Sequence, residues 1–217
     1  MIDFLARRTT MVDTQIRPAD VTKFPIIDAM LQVRREMFAP YNLRETTYAD
    51  AILNLGNGRY ILEPRTFAKM LDAVDIQRNE LVLDIGCGFG YSAAVIGEFA
   101  EAVVALEENK DVVAEAEAIL AVEGCLNVAV VQGKLTDGAA QHSPFDVIVI
   151  EGAVDKVPEG LVAQLVEGGR VVAVFRQKEH GAVRVGYKTD GRMSWRFVCN
   201  AYAPVLSGFQ NLHTFVF

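Results

Sequence analysis

Basic stripes, paired cysteines and long apolar runs are all missing from this 217-residue chain, and each absence closes off a class of function. The net charge is −7, and Arg7-Arg8 is followed by threonines rather than further cations, so no nucleic-acid partner is expected. Cysteines at positions 87, 125 and 199 are odd in number and far apart, which gives neither a disulfide framework nor zinc-ligand spacing, and no metal is expected. No apolar run reaches membrane-spanning length, and Asp3, Arg7 and Arg8 interrupt the first residues, so neither a membrane partner nor a secretory signal is expected. A reducing cytoplasm is the simplest home. Internal repeats and low-complexity linkers are lacking too, and oligomeric state leaves no mark on the sequence.

What is present centres on residues 80–107, ELVLDIGCGFGYSAAVIGEFAEAVVALE. Leu81, Val82, Leu83 and Ile85 read as a strand buried on both faces, and Gly86, Gly88 and Gly90 follow at once. A turn without Cβ atoms adopts positive φ and lets a ligand lie against the backbone. Residues 92–99 read as a helix starting at that spot, and Glu107, with Glu108 beside it, closes a second strand where an acid can accept hydrogen bonds from ribose hydroxyls.

The spacing of the glycines separates possible cofactors. A dinucleotide fingerprint places its third glycine three positions after the second, but here Tyr91 fills that place and Gly90 comes one position early. No basic residue stands in the loop to meet a phosphate. Asp84 precedes the turn instead, and a carboxylate there suits a cationic amine such as the methionine end of S-adenosylmethionine. Cys87 reads as a small residue of the turn rather than a nucleophile. A nucleotide-dependent oxidoreductase or a plain binding module is the outlying alternative.

Strand and helix signals alternate through the remainder, pointing to an α/β, Rossmann-like fold with a mostly parallel sheet flanked by helices. Residues 111–121 read as a helix, 127–131 as a strand, 145–150 as a strand, 158–166 as a short helix and 170–175 as a strand. Residues 183–187 and 194–198 form alternating strands around the hairpin turn Thr189-Asp190-Gly191, and 213–217 is a candidate last strand. Ahead of the sheet, residues 21–37 have partly helical spacing, 48–64 are loop-like and 65–74 helical. The chain reads as a single domain over 1–217, with segment 1–64 covering the site and 65–217 forming the cofactor-binding sheet.

The order of the pieces resembles the protein-L-isoaspartate O-methyltransferase family. Residues 11–15 (MVDTQ) and 33–40 (VRREMFAP) resemble its opening helix and its Val-Pro-Arg-x-x-Phe-Val-Pro signature, with Arg34 in place of the first proline. Tyr48-Ala49-Asp50 resembles its Tyr-x-Asp, residues 82–91 its cofactor motif, and residues 145–149 and 167–172 its later motifs. The resemblance implies a seven-stranded sheet, S-adenosylmethionine as cofactor, and isoaspartyl-containing proteins or peptides as partners. The implied reaction methylates the α-carboxylate of L-isoaspartyl residues in damaged protein, after which the ester collapses to a succinimide and can reopen as aspartate. A carboxylate attacking a sulfonium needs alignment more than acid-base help, so no catalytic residue is assigned.

On that resemblance Asp84, Gly86, Cys87, Gly88, Gly90, Glu107, Glu108, Gly133 and Lys134 are the expected cofactor-binding residues, and Arg59, Tyr60 and Leu62 the expected substrate-binding ones. Two stretches depart from the family pattern. Where the family loop reads Gly-x-Thr-Ile-Ser-x-Pro, this chain has Gly58-Arg59-Tyr60-Ile61-Leu62-Glu63-Pro64, and Leu62 has no hydrogen to donate to an acceptor carboxylate. Where the family has Gly-Asp-Gly, this chain has Gly133-Lys134-Leu135, and Lys134 offers no acceptor to an adenine amino group. A divergent relative with another acceptor, or without catalysis, is therefore the alternative reading.

Overall fold

A computed structural model describes residues 2–177 and 180–211. Two helices open the chain, α1 (Phe4–Met11) and α2 (Phe24–Gln32), followed by a two-stranded antiparallel ribbon, β1 (Leu53–Gly56) and β2 (Arg59–Ile61), and by helix α3 (Pro64–Val74). The sheet region then runs β3 (Leu81–Ile85), α4 (Tyr91–Gly97), β4 (Ala102–Glu107), α5 (Lys110–Glu123), β5 (Val128–Gln132), β6 (Phe145–Val154), α6 (Glu159–Ala163), β7 (Leu165–Gln177), β8 (His180–Thr189) and β9 (Arg192–Asn200).

The seven main strands lie in the order β5-β4-β3-β6-β7-β8-β9. Pairings from β5 through β7 are parallel, and β8 and β9 close the edge antiparallel. The chain starts at β3, winds outward to β5, and then crosses back to β6 on the other side of β3. That reversal opens a crevice beyond the carboxyl ends of β3 and β6, the place where open α/β sheets bind ligands.

Burial alternates along the strands as the pleat requires. Val82, Val147 and Val149 face the core under α1 to α4, while Leu83, Ile85, Ile148 and Ile150 face the second core with Leu161, Leu206 and Phe209. Asp84 and Glu151 continue the first set by the same period of two. Both therefore leave the sheet on the side covered by the N-terminal segment.

Two stretches differ from the sequence expectation. Residues 48–64 hold the β1–β2 ribbon rather than a plain loop, turned at Asn57 and Gly58 with φ of 53° and 70°. The helix expected over 21–37 stops at Gln32, because Val33 turns extended and a short 3₁₀ segment, Arg35–Phe38, carries Arg35 into the core. The candidate strand at 213–217 lies outside the described residues.

Candidate functional site

The glycine turn leaves β3 at its carboxyl end and enters α4 directly, with Gly86, Gly88 and Gly90 at φ of 79°, 56° and 95°. Gly88 shows why a side chain is excluded. A Cβ there would stand 2.9 Å from Cδ1 of Leu55, which β1 lays over the turn. Cys87 is buried, and burial, followed by the charges of Asp84, Glu107 and Glu151, pushes its thiol well above the ordinary range. That thiol is held as S–H and is not a nucleophile.

Three buried acids stand on three adjacent strands: Glu107 as the last residue of β4, Asp84 as the next to last of β3, and Glu151 on β6 just past Ile150, the partner of Ile85. Asp84 Oδ2 accepts a 2.6 Å hydrogen bond from Oγ of Ser92, the second residue of α4, while Asp84 Oδ1 is buried without a partner among the described residues. Burial, then the nearby charge of Glu107, raises the Asp84 carboxyl to about 7 against the opposing pull of Ser92. Glu151 Oε1 is also buried without a partner, and burial together with the charge of Asp84 raises its carboxyl well above the ordinary range, with Arg35 pulling the other way. An unpaired carboxylate oxygen beside a glycine cradle fits a ligand that brings a cationic amine.

Glu107 is differently placed. Its Oε1 accepts the backbone N–H groups of Glu108 and Asn109 at 2.8 and 2.9 Å, and its Oε2 accepts Nε of Arg59 at 2.7 Å. The Arg59 guanidinium also reaches Glu108 Oε1 at 3.2 Å and is itself only 2% exposed. Arg59 thus lies across the turn from the ribbon to the β4 acids. Tyr60 alternates with it in β2 and points to the opposite face of the ribbon. Leu62 is fully buried in the core beyond the strand, and its carbonyl accepts a 2.8 Å bond from Arg35 Nη2.

Gly133 follows β5 and donates its N–H to the Glu107 carbonyl at 2.9 Å, so its backbone borders the site. The Lys134 side chain turns outward, 67% exposed, with Nζ 3.7 Å from Asp137 Oδ1. The structure thus gathers Asp84, the glycine turn, Glu107, Glu108 and Gly133 at the carboxyl ends of β3, β4 and β5 with Arg59, and leaves the Lys134 side chain turned to solvent.

A family model described as Protein-L-isoaspartate(D-aspartate) O-methyltransferase (PCMT) matches residues 6–208. The chain belongs to that family. It is 35% identical to the protein-L-isoaspartate O-methyltransferase of Koribacter versatilis (strain Ellin345) over 190 residues, covering 88% of this chain and 86% of the relative. Identity to the Roseiflexus castenholzii (strain DSM 13941 / HLO8) protein of the same name is 36% over 208 residues, 95% of each chain. Among solved structures, a protein-L-isoaspartate O-methyltransferase superposes with a TM-score of 0.81 at 27% identity, covering 93% of this chain and 66% of that one. A Plasmodium falciparum structure in complex with S-adenosyl-L-homocysteine superposes with a TM-score of 0.79 at 17% identity, over 95% of this chain and 99% of that one, a likeness of fold.

In this isoaspartate methyltransferase family member, sequence reasoning passed over two buried charged residues near Asp84, Glu151 and Arg35. Glu151 ends the apolar run FDVIVI in the same way that Glu107 ends AVVAL, so a signal was available. Arg35 carried none: a cation between Arg34 and Glu36 reads as surface, yet it is fully buried, with Nε bonded to the Thr47 carbonyl at 2.6 Å and its guanidinium 4.7 Å from the Tyr91 ring centre.

Proposed function

We propose that this protein binds S-adenosylmethionine at the β3–α4 turn and methylates the α-carboxylate of L-isoaspartyl residues in damaged proteins, as a repair enzyme. The observation that carries the reading is Asp84: a buried carboxylate with one oxygen tied to Ser92 and the other without a partner among the described residues, beside a turn whose glycines hold positive φ. When bound, S-adenosylmethionine supplies a methyl group on a positively charged sulfur, which the acceptor oxygen takes as the carbon–sulfur bond breaks and its electron pair stays on sulfur. No proton moves, and one negative and one positive charge disappear together.

The chain's own residues do the holding. Asp84 Oδ1 receives the ammonium group, the Gly86–Gly90 backbone lies along the amino-acid portion, and Glu107 faces the ribose with Glu108 beside it. The backbone at Gly133 borders the base, for which the outward-turned Lys134 offers only main-chain groups. The N-terminal segment and the ribbon exclude water from a reaction in which charge is lost, and that exclusion favours the transition state. The acceptors are isoaspartyl-containing proteins or peptides, met in the cytoplasm.

A second reading, cofactor binding with a different acceptor or with no transfer, is favoured by Leu62, which is buried and offers no side-chain donor. One experiment separates the two. The full chain is given isoaspartyl peptide and labelled S-adenosylmethionine, and S-adenosylhomocysteine binding is measured by calorimetry. Peptide methylation supports repair, binding without methylation supports the second reading, and absence of binding rejects both.

A further inference from the structure

Glu151 has no role in the account above, and its placement is unusual. Ile85 pairs with Ile150 and Asp84 with Val149, so Glu151 stands two residues beyond the partner of Asp84 on the same face of the neighbouring strand. Glu107 likewise stands two residues beyond Ala105, the other partner of Asp84, so Glu107 and Glu151 lie level on the two flanking strands with Asp84 between them and two residues back. On the proposed function, Glu107 takes the nucleoside end of the cofactor and Asp84 the amine. Glu151 then lies on the side away from the nucleoside, where an acceptor must come. Around it stand Asp84 from β3, Cys87 from the turn, Tyr91 from α4 and Arg35 from the N-terminal segment. Arg35 also bonds the carbonyl of Leu62, which ties this corner to the loop assigned to the acceptor.

Two buried carboxyl groups side by side do not both ionise. Asp84 accepts the Ser92 hydroxyl, a bond that favours its anion, and Glu151 has no such donor on Oε1. That difference makes Glu151 the better holder of a shared proton, with the Arg35 cation as the opposing influence. We infer that Glu151 is a specificity-determining residue of the acceptor site: its protonated carboxyl donates to the acceptor carboxylate the hydrogen bond that Leu62 and Tyr60 do not supply. An ionised carboxyl in that place would repel the acceptor. The inference rests on the proposed function and adds to it the group that recognises the substrate. The raised carboxyl of Glu151 agrees with it.

The test compares wild type with Glu151→Gln and Glu151→Ala, measuring kcat/KM for an isoaspartyl peptide from pH 6 to 9, with S-adenosylhomocysteine affinity as a check on the cofactor half. Glutamine keeps a donor and cannot ionise, so Glu151→Gln should retain most of the neutral-pH activity and lose the decline that wild type shows as pH rises. Glu151→Ala should lose about ten- to hundredfold in kcat/KM, the range for a hydrogen bond to a charged group, with cofactor affinity little changed. An active wild type with Glu151→Ala at full kcat/KM, or a rate that climbs with pH in wild type and collapses in Glu151→Gln, overturns the inference alone. Should Glu151→Ala fail to fold, the pH profiles of wild type and Glu151→Gln decide. A wild type that binds S-adenosylhomocysteine but never methylates the peptide overturns the proposed function and this inference together.

Discussion

Asp84 carries a cost for the empty protein. Its carboxyl ionises at about 7 in the fold, raised chiefly by burial, against about 3.9 in an unfolded chain. Between those values the unfolded chain releases the proton while the folded one keeps it, so the stabilising contribution is complete below about pH 4 and fades as pH rises to about 7. Asn at this position accepts the same Ser92 bond and never ionises. Asp84→Asn should therefore match wild type near pH 4, become progressively the more stable of the two as pH rises, and gain nothing further above about 7. Urea denaturation at several pH values reads the difference directly, and a difference that is constant with pH would mean that Asp84 ionises in the fold without penalty. On the proposed function the same buried carboxylate receives the cofactor's ammonium group, so stability and ligand recognition trade against one another at a single side chain.

Among the elements, the β1–β2 ribbon matters most and was read least well. Its strands span four and three residues, too short for alternation to register, and glycines break them up. The Asn57-Gly58 pair is nonetheless a strong hairpin signal, the same one that made Asp190-Gly191 legible between β8 and β9, and both pairs adopt positive φ. Strands β3, β4 and β6 were legible because their apolar runs are buried on both faces. The ribbon is held instead by what it touches, with Leu55 over Gly88 and Arg59 on the β4 acids. Gly88→Val should push a branched side chain into Leu55 at a φ that β-branched residues avoid, displacing the ribbon and removing S-adenosylhomocysteine binding, whereas Gly56→Ala, where a Cβ meets nothing within 4 Å, should cost only backbone strain. Calorimetry on the folded variants checks this, and undiminished affinity in Gly88→Val would remove the turn from the site.

At the scale of the molecule, the order of strands brings three acids from distant parts of the chain onto one face of three adjacent strands, and this is where sequence reading reached its limit. Glu107 and Asp84 were found because each sits beside a recognisable glycine turn or strand end. Arg35 and Glu151 come near Asp84 only when the sheet brings β6 beside β3 and the N-terminal segment folds over both. Arg59 was expected to meet the acceptor; the structure sets it on Glu107 and Glu108, a partnership 48 residues long in sequence that no local pattern announces.

That partnership also sets a clock. On the proposed function an incoming ribose meets a Glu107 whose Oε1 already accepts two backbone N–H groups and whose Oε2 already accepts Arg59, so the arginine acts as a latch that the ligand must displace. Entry then proceeds no faster than the latch opens, whatever the ligand concentration. In stopped-flow mixing, the observed association rate for S-adenosylhomocysteine should rise at low concentration and level off, and Arg59→Met should lift the plateau; a rate linear in concentration for wild type would show that the ligand enters without moving the arginine. On the proposed function departure passes the same latch, and release of the spent cofactor then joins methyl transfer among the steps that set turnover.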